Sequence, residues 1–268
     1  MKFWVRSLRH PSGHHAYQLA DATEAMTEGL RGLGYEVSET EGDRQLIIGG
    51  NLANAAVAKT IPDDSIIYNL EQAGSHHFSP EYQTLLRRCV AWDYSPGNAE
   101  LMRREYGIDA KVVRHGYVPS MTRVVKVEPE IDVLFLGALN DRRRAVLQEM
   151  VERGLRVHHT NAAYGRVRDE LLAKSKMLLN VHFYDMKIME ILRIGFGCAN
   201  KVAVLTQHDY DSRSEADMLV ACRSAPYHLL AHTAEMLVRA DRMREDAALR
   251  GFEAFQKRDM VEILREAL

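Results

Sequence analysis

Short, uninterrupted apolar runs recur along this chain of 268 residues, and amphipathic segments separate most of them. Nine runs stand out, at 3–8, 45–49, 66–70, 89–93, 112–115, 132–136, 156–159, 177–183 and 202–206. A strand buried on both faces does not alternate polar with apolar residues. Continuous runs are therefore the pattern of parallel strands covered by helices. The intervening segments carry helical spacing. Residues 17–33 place Leu19, Ala22, Ala25, Met26, Gly29 and Leu33 on one side, and 142–153 gather Val146, Leu147, Met150 and Val151. Segments 168–176, 188–196 and 228–239 behave similarly. Strand–helix alternation of this kind implies right-handed crossovers and a parallel sheet.

The length suits one large domain or two modest ones. Residues 118–130 (VPSMTRVVKVEPE) carry two prolines and no helical pattern, which marks a linker. The expected fold class is α/β: two Rossmann-like βαβ domains, residues 1–118 and 131–268, facing across a cleft. The second domain ends in a helical tail from about His228, with a break at Gly251. Ligands of such sheets bind at the carboxyl ends of strands.

Charge and cysteine usage narrow the function classes. With 35 Lys and Arg against 37 Asp and Glu, the chain has no global field to recruit nucleic acid or an anionic membrane. A local groove of Arg87-Arg88, Arg103-Arg104 and Arg142–Arg144 is the one route to DNA. Cys89, Cys198 and Cys222 lack CxxC spacing and read as reduced, buried residues. The pairs His14-His15, His76-His77 and His158-His159 lack the i,i+4 spacing of a helical zinc site, so no metal is expected. The N-terminus has no long apolar segment of a signal peptide. No run reaches the roughly 18–20 residues of a membrane span. The expectation is a cytoplasmic protein.

Three constellations bear on chemistry. In DVLFLGALNDRRR (132–144), a buried strand ends at Gly137 and a helix starts near Asn140 or Asp141, leaving backbone N–H groups for an anion. Arg142, Arg143 and Arg144 then lie in the first turn, where positive charge opposes the helix dipole, and a bound anion would explain them. This is not the GxGxxG fingerprint of nicotinamide dinucleotides. A second run, 180–185, delivers Asn180, His182 and Tyr184 to one face of a strand end if the strand stays regular. The next helix would present Glu190 about one turn in, where a carboxylate can accept two hydroxyl hydrogen bonds from a ribose or hexose. The alternative there is a surface ion pair of Glu190 with Arg193, worth only ~0.3 kcal/mol. Third, strand ends in the first half carry residues 9–15, 68–72, 92–95 and 115–117. Residues of this kind can serve as general bases, and His14, His15, Glu71 and Asp93 qualify by type.

The stretches Phe135–Asn140, Arg168–Leu172 and Glu190 through Gly197 to Leu205 resemble the donor half of GT-B glycosyltransferases. The likeness covers residues 131–210, and the first half only by its βαβ pattern. It departs where His182–Lys187 stands in place of a second glycine-rich stretch. The resemblance implies a transferase taking a nucleotide sugar, UDP-linked, as substrate and needing no other cofactor; arginines rather than a carboxylate pair at the phosphate site make it metal-independent. Glu190 would hold the ribose or transferred sugar, and Gly137, Asn140, Arg142, Arg143, His182 and Tyr184 would complete the donor site. His15 and Glu71 are the preferred catalytic bases, with His14, Asp93 and Tyr94 binding the acceptor. That acceptor stays open among polysaccharide, lipid, protein and a modified DNA base. A nucleotide-sugar epimerase or hydrolase and a non-catalytic nucleotide-binding module are the competing functions.

Overall fold

The computed structural model describes residues 1–9, 17–207 and 215–268. The chain divides into two compact units, Met1–Val118 with Arg258–Leu268, and Pro119–Lys257.

The first unit is built on a six-stranded sheet of β1 (Lys2–Ser7), β2 (Glu36–Ser38), β3 (Arg44–Ile48), β4 (Ile66–Asn69), β5 (Val90–Asp93) and β6 (Lys111–Val112). Its order is β2-β1-β3-β4-β5-β6, and every pairing is parallel. Helices α1 (Ala20–Gly32), α2 (Ala55–Lys59), α3 (Pro80–Arg88) and α4 (Pro96–Tyr106) link the strands. Helix α1 buries Ala22, Ala25, Met26, Gly29 and Leu30, the stripe its 3.6-residue period prescribes. Two of the unexpected helices carry legible start signals. Ser79-Pro80 and Ser95-Pro96 each place a capping hydroxyl before a proline at the first helical position, and each serine accepts a backbone N–H two residues past that proline.

The second unit carries a five-stranded parallel sheet of β7 (Ile131–Leu136), β8 (Val157–Thr160), β9 (Ser175–Asn180), β10 (Ala203–Gln207) and β11 (Arg223–Ala225), ordered β11-β10-β9-β7-β8. Helices α5 (Asp141–Glu152), α6 (Gly165–Ala173), α7 (Ile191–Ala199), α8 (Ala216–Ala221), α9 (Leu230–Arg239) and α10 (Asp241–Gln256) complete it. One core runs from Val133, Phe135, Met177 and Leu179 to Leu230, Leu237 and Ala247. In each sheet the strand order reverses once among the described elements, between β1 and β3 and between β7 and β9. In a doubly wound sheet the crevice for a ligand opens at that point.

Several sequence expectations need correction. The final helix, α11 (Met260–Ala267), belongs to the first unit and not to a tail of the second. It packs on α1, where a Cβ on Gly29 would come within 2.7 Å of Leu264 Cδ1. Gly251 does not break a helix. It lies inside α10, where a Cβ would meet the Ala221 carbonyl at 2.7 Å, so the glycine serves close approach. Residues 118–130 are not a loose tether: Thr122 donates to the Ala199 carbonyl, and the backbone N–H groups of Arg123 and Val124 donate to Asn200 Oδ1. The run 112–115 shrinks to the short β6, and 177–183 stops at Asn180. Strands β2 and β11 are three-residue edge strands too short to show a pattern.

Candidate functional site

Strand β7 ends at Leu136 and is followed by Gly137, whose φ of +142° lies outside the range side chains favour. The glycine is required on a second count. A Cβ there would lie 2.7 Å from Arg193 Nη2 and 3.4 Å from Arg143 Nη1, so two guanidinium groups occupy its side-chain space. His159 Nε2 lies 2.8 Å from the Gly137 carbonyl and fixes the loop from β8. Helix α5 follows, capped by Asn140, whose Oδ1 accepts the Arg143 N–H and whose Nδ2 donates to the Phe183 carbonyl.

The three consecutive arginines part company here. Arg143 turns inward and is 3% exposed. Its Nε donates to the Val181 carbonyl (2.8 Å), Nη1 to the Ala138 carbonyl (2.8 Å) and Nη2 to Glu190 Oε1 (3.1 Å). The rings of Phe135 and Phe183 lie 5.2 and 5.0 Å from the guanidinium carbon. Arg142 donates through Nη1 to Gln207 Oε1 (2.8 Å) and the His182 carbonyl (3.2 Å), and stacks 4.2 Å from the Tyr227 ring centre. Arg144 is exposed, 3.8 Å from Asp141.

Glu190 stands one residue before α7, not a turn inside it. The backbone of residues 186–189 is not helical, and Lys187 has a φ of 54°, so the helix begins only at Ile191. Nor do Asn180, His182 and Tyr184 share a strand face, because β9 stops at Asn180. Asn180 and His182 nevertheless converge on Glu190. Asn180 Nδ2 donates to Oε2 (2.9 Å) and His182 Nδ1 lies 3.0 Å from the same oxygen. Arg193 Nη1 lies 4.0 Å from Oε1 and donates to Asn180 Oδ1. Glu190 and Arg193 are each 17% exposed, so this is no surface pair. Burial alone would raise the Glu190 pKa, but His182, Arg193 and Arg143 outweigh it and hold the carboxyl at about 2. Burial and the neighbouring Arg193 charge lower Arg143 to about 10. The Tyr184 ring packs edge-on against Phe183, 4.9 Å away.

In the first unit, His14 and His15 lie outside the described residues. Glu71 follows β4 and is clamped at its backbone. Its N–H donates to Asn69 Oδ1, and its carbonyl accepts from Asn69 Nδ2 and Asn98 Nδ2, each at 2.9 Å. Its carboxylate accepts from Asn51 Nδ2 at 3.0 Å. Burial raises the Glu71 pKa, against weaker opposing pulls from His76 and Asn51. Asp93 and Tyr94, expected to bind the acceptor, are buried, 0% and 5% exposed. Asp93 Oδ2 accepts from Asn69 Nδ2 (2.6 Å) and Asn98 Nδ2 (2.7 Å), and Oδ1 accepts the Ser95 N–H (2.8 Å). Burial pushes this carboxyl up to about 7. Asp93 therefore braces the two asparagines that hold Glu71. Asn98 and Arg193 were not singled out in the sequence as site residues. The Ser95-Pro96 helix start could have drawn attention to the first, and the placement of Gly137 against Arg193 had no sequence signal.

The arginine pairs proposed for a DNA groove are engaged locally. Arg88 pairs with Asp63 at 3.0 Å, Arg103 with Glu100, Arg104 with Glu105, and Arg87 donates to the Tyr106 carbonyl. Among the described residues, no group of three or more His, Cys, Asp or Glu side chains is arranged to hold a metal, and no helix is long and apolar enough to cross a membrane.

No family model matches the chain. Two uncharacterized proteins of Acanthamoeba polyphaga mimivirus are similar to it. One is 27% identical over 130 residues, covering 46% of this chain and 41% of that protein. The other is 33% identical over 87 residues, covering 32% of this chain and 9% of that protein. The chain thus spans less than half the length of these curated relatives. Among solved structures, AviGT4, a glycosyltransferase of avilamycin A biosynthesis, superposes with a TM-score of 0.60 at 13% identity, covering 100% of this chain and 96% of that one. T4 phage BGT, in complex with its UDP-glucose substrate, gives 0.59 at 13% identity, covering 100% and 98%. TarM gives 0.58 at 10% identity over 84% of this chain and 53% of its own. The fold is that of the GT-B glycosyltransferases.

Proposed function

We propose that this protein transfers a sugar from a nucleotide-sugar donor to an acceptor hydroxyl, the second unit holding the donor and the first supplying the base. The observation that carries this reading is Glu190. Its carboxylate stays ionised at the strand-order reversal of a GT-B fold, its side chain 17% exposed and guanidinium groups beside it. A carboxylate offers about four lone-pair sites. Glu190 uses two on Arg143 and Asn180, with His182 Nδ1 3.0 Å from Oε2, and a remaining site is the one we assign to a sugar hydroxyl. T4 phage BGT is described with UDP-glucose as its substrate, and uridine diphosphate is the carrier we assign here.

In an inverting transfer, the acceptor oxygen bonds to the anomeric carbon while the bond from that carbon to the diphosphate oxygen breaks and its electron pair leaves with the diphosphate. The hydroxyl proton passes to a base, the role we give Glu71, whose pKa burial raises above that of an ordinary glutamate. Guanidinium groups beside Gly137 supply the charge that stabilises the leaving diphosphate, so transfer needs neither metal nor resident cofactor. Residues 1–118 and 258–268 carry 14 Lys and Arg against 18 Asp and Glu, a formal −4. That balance disfavours a polyanionic acceptor such as DNA and favours a neutral hydroxyl compound, a carbohydrate first.

Titration calorimetry with uridine, guanosine and adenosine diphosphates tests the donor site. Binding of uridine diphosphate, weakened at least tenfold by Glu190→Ala, is expected. Absence of heat with all three would remove the basis for a nucleotide-sugar enzyme.

A further inference from the structure

The three arginines near Gly137 differ in what they have left to offer. Arg143 is buried, and its Nε, Nη1 and Nη2 donate to two carbonyls and to Glu190. It cannot turn to a ligand without stranding those acceptors. Arg142 is held by Gln207, the His182 carbonyl and the Tyr227 ring. Arg193 donates through Nη1 to Asn180 Oδ1, has Glu190 Oε1 4.0 Å from the same atom, and its guanidinium carbon lies 5.6 Å from the Phe135 ring centre. Among the described residues its Nε and Nη2 have no hydrogen-bond partner, and Nη2 occupies the space where Gly137 lacks a side chain. Arg193 is also 17% exposed, where Arg143 is 3% exposed.

Charge balance points the same way. Three guanidinium groups converge on this loop, and the one carboxylate their described contacts provide is Glu190. Arg143 and Arg193 repel each other across it. Buried like charges that share one counter-ion leave a surplus that a bound anion would neutralise. The N-terminus of α5 adds the positive end of a helix dipole at the same loop.

We infer that Arg193, and not the consecutive arginines of α5, is the residue that meets the diphosphate of the donor. Arg143 is the fixed buttress that orients Glu190. This assignment rests on the donor-site reading above and names the residue that recognises the phosphate. It also accounts for Gly137, since any side chain there would push the guanidinium away from the loop.

Inorganic pyrophosphate and uridine diphosphate serve as probes in titration calorimetry of the full chain. The variants are Arg193→Gln, Arg193→Lys and the control Arg144→Gln, which removes an equal charge from the exposed side of α5. Arg193→Gln should weaken both probes by about 10- to 100-fold, the span of lost hydrogen bonds to a charged group. Arg193→Lys should recover part of the pyrophosphate affinity, which separates recognition from a folding defect. Arg144→Gln should stay within about threefold of wild type, as expected for a screened surface charge. If both Arg193 variants bind uridine diphosphate and pyrophosphate as wild type does, the assignment is overturned while the donor site stands. If wild type binds neither probe, the donor-site reading fails and this inference with it.

Discussion

Replacing Glu190 with glutamine keeps the shape of the side chain and discards its charge, leaving Arg143 and Arg193 to face each other without a counter-ion. The cost follows from the proton equilibrium. The folded carboxyl titrates at about 2, against an ordinary 4.5. A difference of that size corresponds to about 3 kcal/mol favouring the ionised folded state. The folded value is depressed, so this stability is present above the unfolded pKa and is lost as pH falls towards the folded one. Glu190→Gln should therefore be about 3 kcal/mol less stable at pH 7, or roughly 6–12 °C in melting temperature for a domain of this size. The gap should narrow by about 1 kcal/mol at pH 3.5, where the unfolded carboxyl is already mostly protonated. Urea unfolding of both proteins at pH 7, 5 and 3.5, followed by circular dichroism, reads the gap directly. A gap that is absent at pH 7, or the same at all three values, refutes the claim that the carboxylate is held ionised by its cationic neighbours.

Gly137→Ala should lose about 1–3 kcal/mol of stability from the disfavoured φ and the clash with Arg193; it should also weaken uridine diphosphate binding, and wild-type values in melting and calorimetry would contradict both. Glu71→Gln should abolish most turnover while sparing donor binding. In the wild type, kcat/KM should fall on the acid side at a pH above that of an ordinary glutamate, because burial raises this pKa; an acid limb at the ordinary glutamate position would remove Glu71 from the base role. Asp93 runs the other way from Glu190. Its folded pKa of about 7 lies above the ordinary 3.8, so it contributes stability below the lower value that is lost as pH rises through the higher one. The loss is on the order of 4 kcal/mol. Asp93→Asn should flatten that slope in urea titrations between pH 4 and 8, and an unchanged slope would show that Asp93 stays ionised in the fold.

What the sequence determined by itself was the fold class, because a parallel strand covered on both faces must be apolar throughout and a helix on a sheet must be apolar every third or fourth residue. Those constraints are local, and they located the principal strands and the opening of the second unit at Gly137. The start of α5 at Asn140 or Asp141 was equally legible, since a cap depends only on its neighbours along the chain. Tertiary structure decided the rest. Asp93 is polar and ends a strand, which reads as a ligand, yet the fold closes over it and gives its oxygens to Asn69, Asn98 and the Ser95 N–H. Three adjacent arginines look equivalent in sequence, but α5 turns one into the core, one along a tyrosine ring and one to solvent. Arg193 reaches Gly137 from 56 positions further along the chain. Local spacing carries no record of such an approach, because it is set by how β7, β9 and α7 pack together.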